Sequence, residues 1–355
     1  MNIFSSIHLI AVLGGFLLSL ILTPLIIVIA RRLNITDNPK SAERKIHLKT
    51  TPLLGGIAVF ISFFLIYFVV YYFKLANISQ IPVTAVWAVF AGGLIIMIGG
   101  ILDDKYNLKP YQQIIWPILA SLCVLFVGVR IAYVTNPFGF PGTIIYLPAI
   151  IGSVVSFLWL MGMMYTAKFL DGLDGLLSGI GAIAALAIFM VSIGWDVPVS
   201  ATGVWSLALL GSLLGFLIFN WMPAKIFLGE GGSVFLGFIL GALSIISGSK
   251  IVTTLLVMGI PALDVLWVIL QRIIKKESPF SHADRKHIHY RLVDFGFSKV
   301  GAVLFLYLIS LIFALFALLS SGFSKLIGLL IMAMVMVAIV VLLFVKNNNN
   351  EKQKI

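Results

Sequence analysis

The sequence predicts an all-α polytopic membrane protein, and three observations carry that reading. The 355 residues are 61% hydrophobic and only 10% charged, with a mean hydropathy of +1.13. Apolar runs of about 20 residues recur along the chain, each long enough to cross a hydrocarbon core of roughly 30 Å, and they number about 11. Basic residues gather in alternate connecting segments, following the bias of Lys and Arg toward cytoplasmic loops. A single membrane-embedded unit over 1–345 accounts for nearly the whole chain. The tail over 346–355, "KNNNNEKQKI", is polar and low in complexity, and is expected to be disordered.

The first run, residues 8–30, has no basic segment before it and is closed by Arg31 and Arg32. It is therefore expected to be a retained helix with its N-terminus outside rather than a cleaved signal. Further spans are expected at 53–73, 84–102, 112–128, 148–167, 176–194, 201–219, 234–248, 251–271, 300–319 and 326–345, which leaves the C-terminus inside. Between the fourth and fifth, "VRIAYVTNPFGFPGTIIYL" sets β-branched runs around an Asn-Pro-Phe-Gly turn and predicts a small hairpin near 130–147 on the outer face. In this register, of 24 Lys and Arg only Lys74, Arg130, Lys250 and Lys325 lie outside, and of 13 Asp and Glu only Asp196 does. Membrane insertion asks for basic inner loops but not for acidic ones, so the acids point to anion-handling chemistry at the inner face. The net charge of +11 is thereby explained without nucleic acid. Cys123, the only cysteine, excludes a disulfide framework and a thiolate metal site.

Five inner segments hold the unusual residues. "TDNPKSAERKIHLKTTPLLGGIAVF" places Lys45 and His47 ahead of the Gly55-Gly56 pair that opens the second helix. A basic loop against a helix N-terminus suits a phosphate, although Lys and Arg here also satisfy the topology rule alone. "GGILDDKYNLKP" ends the third helix with Asp103 and Asp104, two carboxylates that repel unless a metal, a lysine or a shared proton compensates. In "KFLDGLDGLLSG", Asp171 and Asp174 are three apart and so share a face if helical, with Gly172, Gly175 and Gly179 letting backbone or ligand approach closely. Acidic DG repeats also mark transferases of CDP-linked alcohols, but the Ala-Arg that such a motif needs after the first DG is absent.

"NWMPAKIFLGEGGSVFLG" carries Asn220, Lys225 and Glu230 ahead of Gly231, Gly232 and Ser233, which can turn N–H groups toward an anion or present a carboxylate to a metal. "SPFSHADRKHIHYRL" offers His282, Asp284, Arg285, His287, His289 and Arg291, a density of cations that suits a diphosphate. Zinc is not indicated, because no Cys and no HExxH accompanies the histidines. Asp264 stands alone in an apolar run and is expected to face the bundle and pair with a cation.

As an ordered set, "RKIH…PLLGG", "DDKYNL", "FLDGLDGL", "NWMPAKIFLGEGGS" and "HADRKHIHYRL" resemble the polyprenyl-phosphate N-acetylhexosamine-1-phosphate transferase family, over about Asp37 to Gly296. These membrane enzymes move a sugar-1-phosphate from a UDP-sugar onto a lipid phosphate. The last motif resembles the branch that starts teichoic acid, enterobacterial common antigen and O-antigen lipids rather than the branch acting on UDP-muramoyl-pentapeptide. The resemblance implies a Mg²⁺-dependent phosphoglycosyl transferase, with Mn²⁺ as a substitute, whose metal is held by Glu230 with Asp104 or Asp103. It implies catalytic roles for Asp103, Asp104, Asp171 and His287, and substrate contacts from Lys45, His47, Lys168, Asp174, Asn220, Lys225, Asp284, Arg285, His289 and Arg291. The implied partners are a UDP-N-acetylhexosamine, undecaprenyl phosphate, the lipid bilayer and a second copy in a homodimer. The implied location is the cell membrane, with the site on the cytoplasmic face.

The chain departs from the family pattern at Tyr165 and Lys168, where Asn is expected, at Gln113 where Lys is, at Glu230 where Asp is, and at Tyr290 where a second His is. Protonated Lys168 has no lone pair for a metal, so it is expected to pair with Glu230 or to contact the diphosphate. Two other classes fit the composition: a secondary transporter with an acidic site near the cytoplasmic side, and a non-catalytic polyprenyl-lipid-binding protein. A transporter would set its acids near the midplane on broken helices.

Overall fold

A computed structural model describes residues 6–39, 50–73, 81–136, 143–195, 200–248, 251–274, 276, 287–320 and 322–352. The long helices are α1 (Ser6–Arg32), α2 (Gly55–Tyr72), α3 (Val83–Tyr106), α6 (Ala149–Leu170), α7 (Leu176–Trp195), α8 (Ala201–Asn220), α9 (Gly229–Ile246), α10 (Ile251–Ile274), α12 (Lys299–Leu319) and α13 (Phe323–Lys352). Shorter ones are α4 (Pro110–Gln113), α5 (Ile115–Phe126) and α11 (Ile288–Phe295). Nine helices among the described residues are long and apolar enough to cross a membrane, with shorter apolar stretches at Pro110–Phe126 and Phe323–Ile339.

Over the expected fourth span α4 and α5 run on as one apolar stretch, Pro110–Phe126. Pro117 has no N–H to give the carbonyl of Gln113, so the hydrogen-bond ladder lapses at Ile114 while its backbone stays right-handed helical. At the other end of the chain, α13 continues past 345 through Lys352, so the expected disordered tail begins inside a helix. Residues 346–352 include no Gly or Pro to stop the helix.

Two small sheets join the helices. β1 (Thr36–Asp37) pairs antiparallel with β2 (Thr51–Pro52), Thr36 opposite Pro52. β3 (Tyr133–Thr135) pairs antiparallel with β4 (Ile144–Tyr146), Tyr133 opposite Tyr146.

The core is built around α9. Every residue from Gly231 to Ile245 is buried, and a helix that is apolar on all sides belongs inside a bundle. Small residues let its neighbours approach. A Cβ at Gly56 in α2 would overlap the backbone of Gly232, one at Gly100 in α3 the backbone of Gly231, and one at Gly237 the backbone of Met163 in α6. Where lipid tails are as apolar as Leu, such close backbone packing takes over much of the role of hydrophobic association. Trp159 in α6 adds a polar clasp, its indole N–H donating to Ser244 Oγ at 3.0 Å. An aromatic layer of Phe60, Phe63, Phe64 and Phe235 fills the space between α2 and α9, with ring centroids 4.7 to 6.3 Å apart. This packing sets the first turn of α9 against the last turn of α3.

Candidate active site

The last turn of α3 supplies Asp103 and Asp104, and their side chains diverge. Asp103 Oδ1 accepts from the N–H of Leu108 at 2.8 Å and from Gln113 Nε2 at 3.0 Å, which closes the turn after α3. Asp104 Oδ1 accepts the N–H of Glu230 at 3.0 Å, so the start of α9 is aimed at a carboxylate of the protein itself. Its other oxygen lies where a Cβ of Gly229 would be; Gly229 has φ +76°, a conformation that suits glycine. The helix starts there, not at 234 as the hydropathy suggested, because the Gly-rich stretch is held from both sides. Gly55 and Gly56 donate to the carbonyls of Phe227 and Leu228 at 2.9 and 2.8 Å, and Phe227 donates to Pro52 at 2.9 Å. The phosphate site expected at the N-terminus of α2 is therefore not open at those glycines: their N–H groups tie two inner segments together.

Glu230 pairs with Lys168 from the last turn of α6, and Lys168 Nζ also donates to Gln113 Oε1 at 2.9 Å. Asp171 follows directly as the C-cap of α6. The charges of Asp103, Asp171 and Glu230 all act on Asp104, so the four carboxylates expected to be catalytic or metal-binding form one cluster. Asp171 is pushed up to about 7, first by burial and then by the charges of Glu230 and Asp174. That places its proton exchange near neutrality; Asp104 and Glu230 are raised as well, burial being the first cause in each.

Asp171 and Asp174 would share a face only in a helix, and the segment is not one. Residues 171–175 form a turn between α6 and α7, with Gly175 at φ +77°. Asp174 Oδ2 accepts from the N–H of Ala224 at 2.9 Å, binding this turn to the loop after α8. Asn220, expected to contact substrate, is buried and committed within the protein. Its Oδ1 accepts from Ser178 Oγ at 2.7 Å and the N–H of Gly175 at 3.2 Å, and its Nδ2 donates to the carbonyl of Ile226 at 2.9 Å. Tyr307 reaches across from α12 to donate to the carbonyl of Gly175. Lys225 in the same loop is exposed, its ammonium 6.0 Å from the ring centre of Phe219.

The histidine segment closes the other side of the turn. Asp264, the lone acid of α10, accepts from His287 Nδ1 at 2.8 Å and from the N–H of Ile288 at 3.0 Å. The cation partner expected for it is thus a histidine, whose tautomer and ring plane the carboxylate fixes. His287 stacks on Phe169 with centroids 5.4 Å apart and lies parallel to His289 at 5.9 Å. His289 is buried against Gly172, where any Cβ would collide with Nε2. Burial and then His287 pull its pKa down to about 3, which favours the neutral imidazole. Arg291 lies one turn on in α11, half-buried. Lys45, His47, His282, Asp284 and Arg285 lie outside the described residues. Gln113, Phe169 and Tyr307 were absent from the sequence-derived site; only Gln113 had given a signal, as a departure from the family pattern.

The donor chemistry suits Mg²⁺ or Mn²⁺: carboxylate oxygens from Glu230, Asp103 and Asp104 stand in one cluster. Among the described residues no three His, Cys, Asp or Glu side chains surround one metal position. An ion held by one or two carboxylates together with substrate phosphates needs no such cage.

Apolar helices whose ends gather carboxylates, a lysine and paired imidazoles belong to a multi-pass membrane protein, and sequence comparison identifies its family. The profile of glycosyl transferase family 4 matches residues 86–248. The chain is 32% identical, over 97% of its length and 94% of the relative's, to a probable undecaprenyl-phosphate N-acetylglucosaminyl 1-phosphate transferase of Bacillus subtilis. It is 34% identical to a decaprenyl-phosphate N-acetylglucosaminephosphotransferase of Mycolicibacterium smegmatis, over 79% of this chain and 74% of that one. A phospho-N-acetylmuramoyl-pentapeptide-transferase of Oceanobacillus iheyensis is 30% identical over 86% of this chain and 95% of its own. The chain belongs to the polyprenyl-phosphate N-acetylhexosamine-1-phosphate transferase family.

Proposed function

We propose that this protein transfers N-acetylglucosamine-1-phosphate from its UDP-sugar to undecaprenyl phosphate. UMP leaves, and a lipid diphosphate sugar forms that starts a cell-envelope glycopolymer. The observation that carries this reading is the carboxylate cluster of Asp103, Asp104, Asp171 and Glu230, bordered by Lys168 and the His287 segment, in a chain similar along nearly its whole length to an enzyme of that name.

An oxygen of the lipid phosphate attacks the β-phosphorus of the sugar nucleotide. The bond from that phosphorus to the bridging oxygen breaks, and UMP departs with the electron pair. Both substrates are anionic, so the protein's work is alignment and charge neutralisation. Asp171, titrating near neutrality, takes the proton of the attacking phosphate. Lys168 neutralises phosphate charge, and the Asp264–His287 pair holds an imidazole in fixed orientation at the edge of the site. Mg²⁺ held by Glu230 with Asp103 or Asp104 would supply charge stabilisation for the leaving phosphate.

This reading places eleven spans in the membrane, the N-terminus outside, and the site on the cytoplasmic face of the cell membrane, where UDP-sugars are made. The carboxylates stand at helix ends, which argues against the midplane ion path of a transporter. The test is purified protein with UDP-N-acetylglucosamine, undecaprenyl phosphate and Mg²⁺, read as UMP release. Turnover is expected from the wild type and loss of more than about 100-fold from Asp104→Asn. No UMP from any of several UDP-sugars would overturn the proposal.

A further inference from the structure

The carboxylate cluster already contains a cation of its own. Lys168 is paired with Glu230, and its second partner is the amide oxygen of Gln113 at 2.9 Å. Gln113 presents its amide nitrogen to Asp103 Oδ1 at 3.0 Å and to the carbonyl of Leu108 at 2.9 Å. An ammonium only donates, so it selects the oxygen end of the amide and leaves the nitrogen end for the carboxylate. One hydrogen-bonded chain, Asp103 to Gln113 to Lys168 to Glu230, therefore joins α3, α4, α6 and α9. The side chains of the ion pair are 19% and 21% exposed, so it can be reached by a ligand.

We propose that Lys168 and a divalent cation are alternatives at Glu230. In the free protein the ammonium shields this carboxylate and weakens metal binding. When a diphosphate enters, its oxygens offer the ammonium a partner at least as good as the carboxylate, Lys168 turns to it, and Glu230 is released to the metal. Metal and diphosphate then bind with positive coupling through one side chain, and the coupling is reciprocal. Lys168 is on this view a positioning residue for the cation as well as a phosphate ligand. The inference rests on the proposed reading of the cluster as a diphosphate site.

The test is Mn²⁺ binding to the full chain in detergent, followed by electron paramagnetic resonance without nucleotide, so that turnover plays no part. Lys168→Gln and Lys168→Met are expected to tighten Mn²⁺ about tenfold, an ion pair of partial exposure being moderately screened. Lys168→Arg should leave binding weak, and adding Glu230→Gln to Lys168→Gln should abolish the gain. The two neutral variants guard against one failing to fold, which the thermal melt reports. Unchanged Mn²⁺ affinity in a folded neutral variant overturns the inference, as does tight binding to Lys168→Arg. If the wild type releases UMP while Mn²⁺ affinity ignores Lys168, the inference alone falls. If no UMP is released yet the neutral variants tighten Mn²⁺, the reaction falls and the role of Lys168 stands.

Discussion

Asp171 is held at the end of α6 by backbone geometry while its carboxyl faces two others, Glu230 and Asp174. Its pKa of about 7 in the folded state lies well above the ordinary carboxylate value near 4. The folded protein thus keeps a proton that the unfolded chain surrenders, and this contribution to stability is complete below about pH 4 and lost as pH rises through 7. Asp171→Asn should accordingly melt at a higher temperature than the wild type at pH 8, with the difference shrinking toward pH 4, as measured by thermal melts in detergent. The same titration gives UMP release by the wild type a rising limb near pH 7, since only the ionised carboxylate accepts a proton. Such a group, destabilising and ionisable near neutrality, is what a functional site retains against stability. The sequence placed Asp171 in the site, but its proton affinity comes first from burial and then from Glu230, which acts across helices that the sequence does not pair, and from Asp174.

At the scale of elements, the site depends on how closely α3 and α2 approach α9. Gly100 and Gly56 face the backbone of Gly231 and Gly232, so these glycines are room for another helix. Gly100→Ala would drive its Cβ into backbone that cannot rotate away, and α3 must shift. Destabilisation of about 1–3 kcal/mol is expected, read from the thermal melt. UMP release should fall as well, because the shift pulls Asp104 from the N–H of Glu230. The turn of the DGLDG segment follows a similar logic. Asp174, Asn220 and Tyr307 fasten it to α8, the loop after it and α12, which frees Asp171 for the cluster. Residue spacing alone treated the two aspartates as equals. Only their hydrogen bonds divide them into a fastener and a reactive group.

For the whole molecule, the proposed orientation makes a prediction of its own. In a Cys123→Ala background, Tyr106→Cys at the end of α3 should react with a membrane-impermeant maleimide only in inside-out vesicles, and Tyr146→Cys in β4 only in right-side-out ones. Both positions are exposed, 62% and 72%, so absence of labelling would reflect the membrane and not burial. Labelling from the opposite sides would invert the topology and separate the site from cytoplasmic UDP-sugars.

The sequence by itself determined that this is a multi-pass helical membrane protein, because hydropathy acts on each segment independently of the others. It also determined the family, because the motifs occur in a fixed order along the chain, and it named Asp103, Asp104, Asp171 and Glu230 before any of them was seen to meet. Tertiary structure decided which charges are neighbours: of the two partners expected for Lys168 it gives Glu230, Gln113 joins that pair to Asp103, Asp264 orients His287, and burial lowers the pKa of His289. Those outcomes depend on distances between helices. Helix spacing is fixed by small residues on paired faces, and a one-dimensional pattern does not say which faces pair.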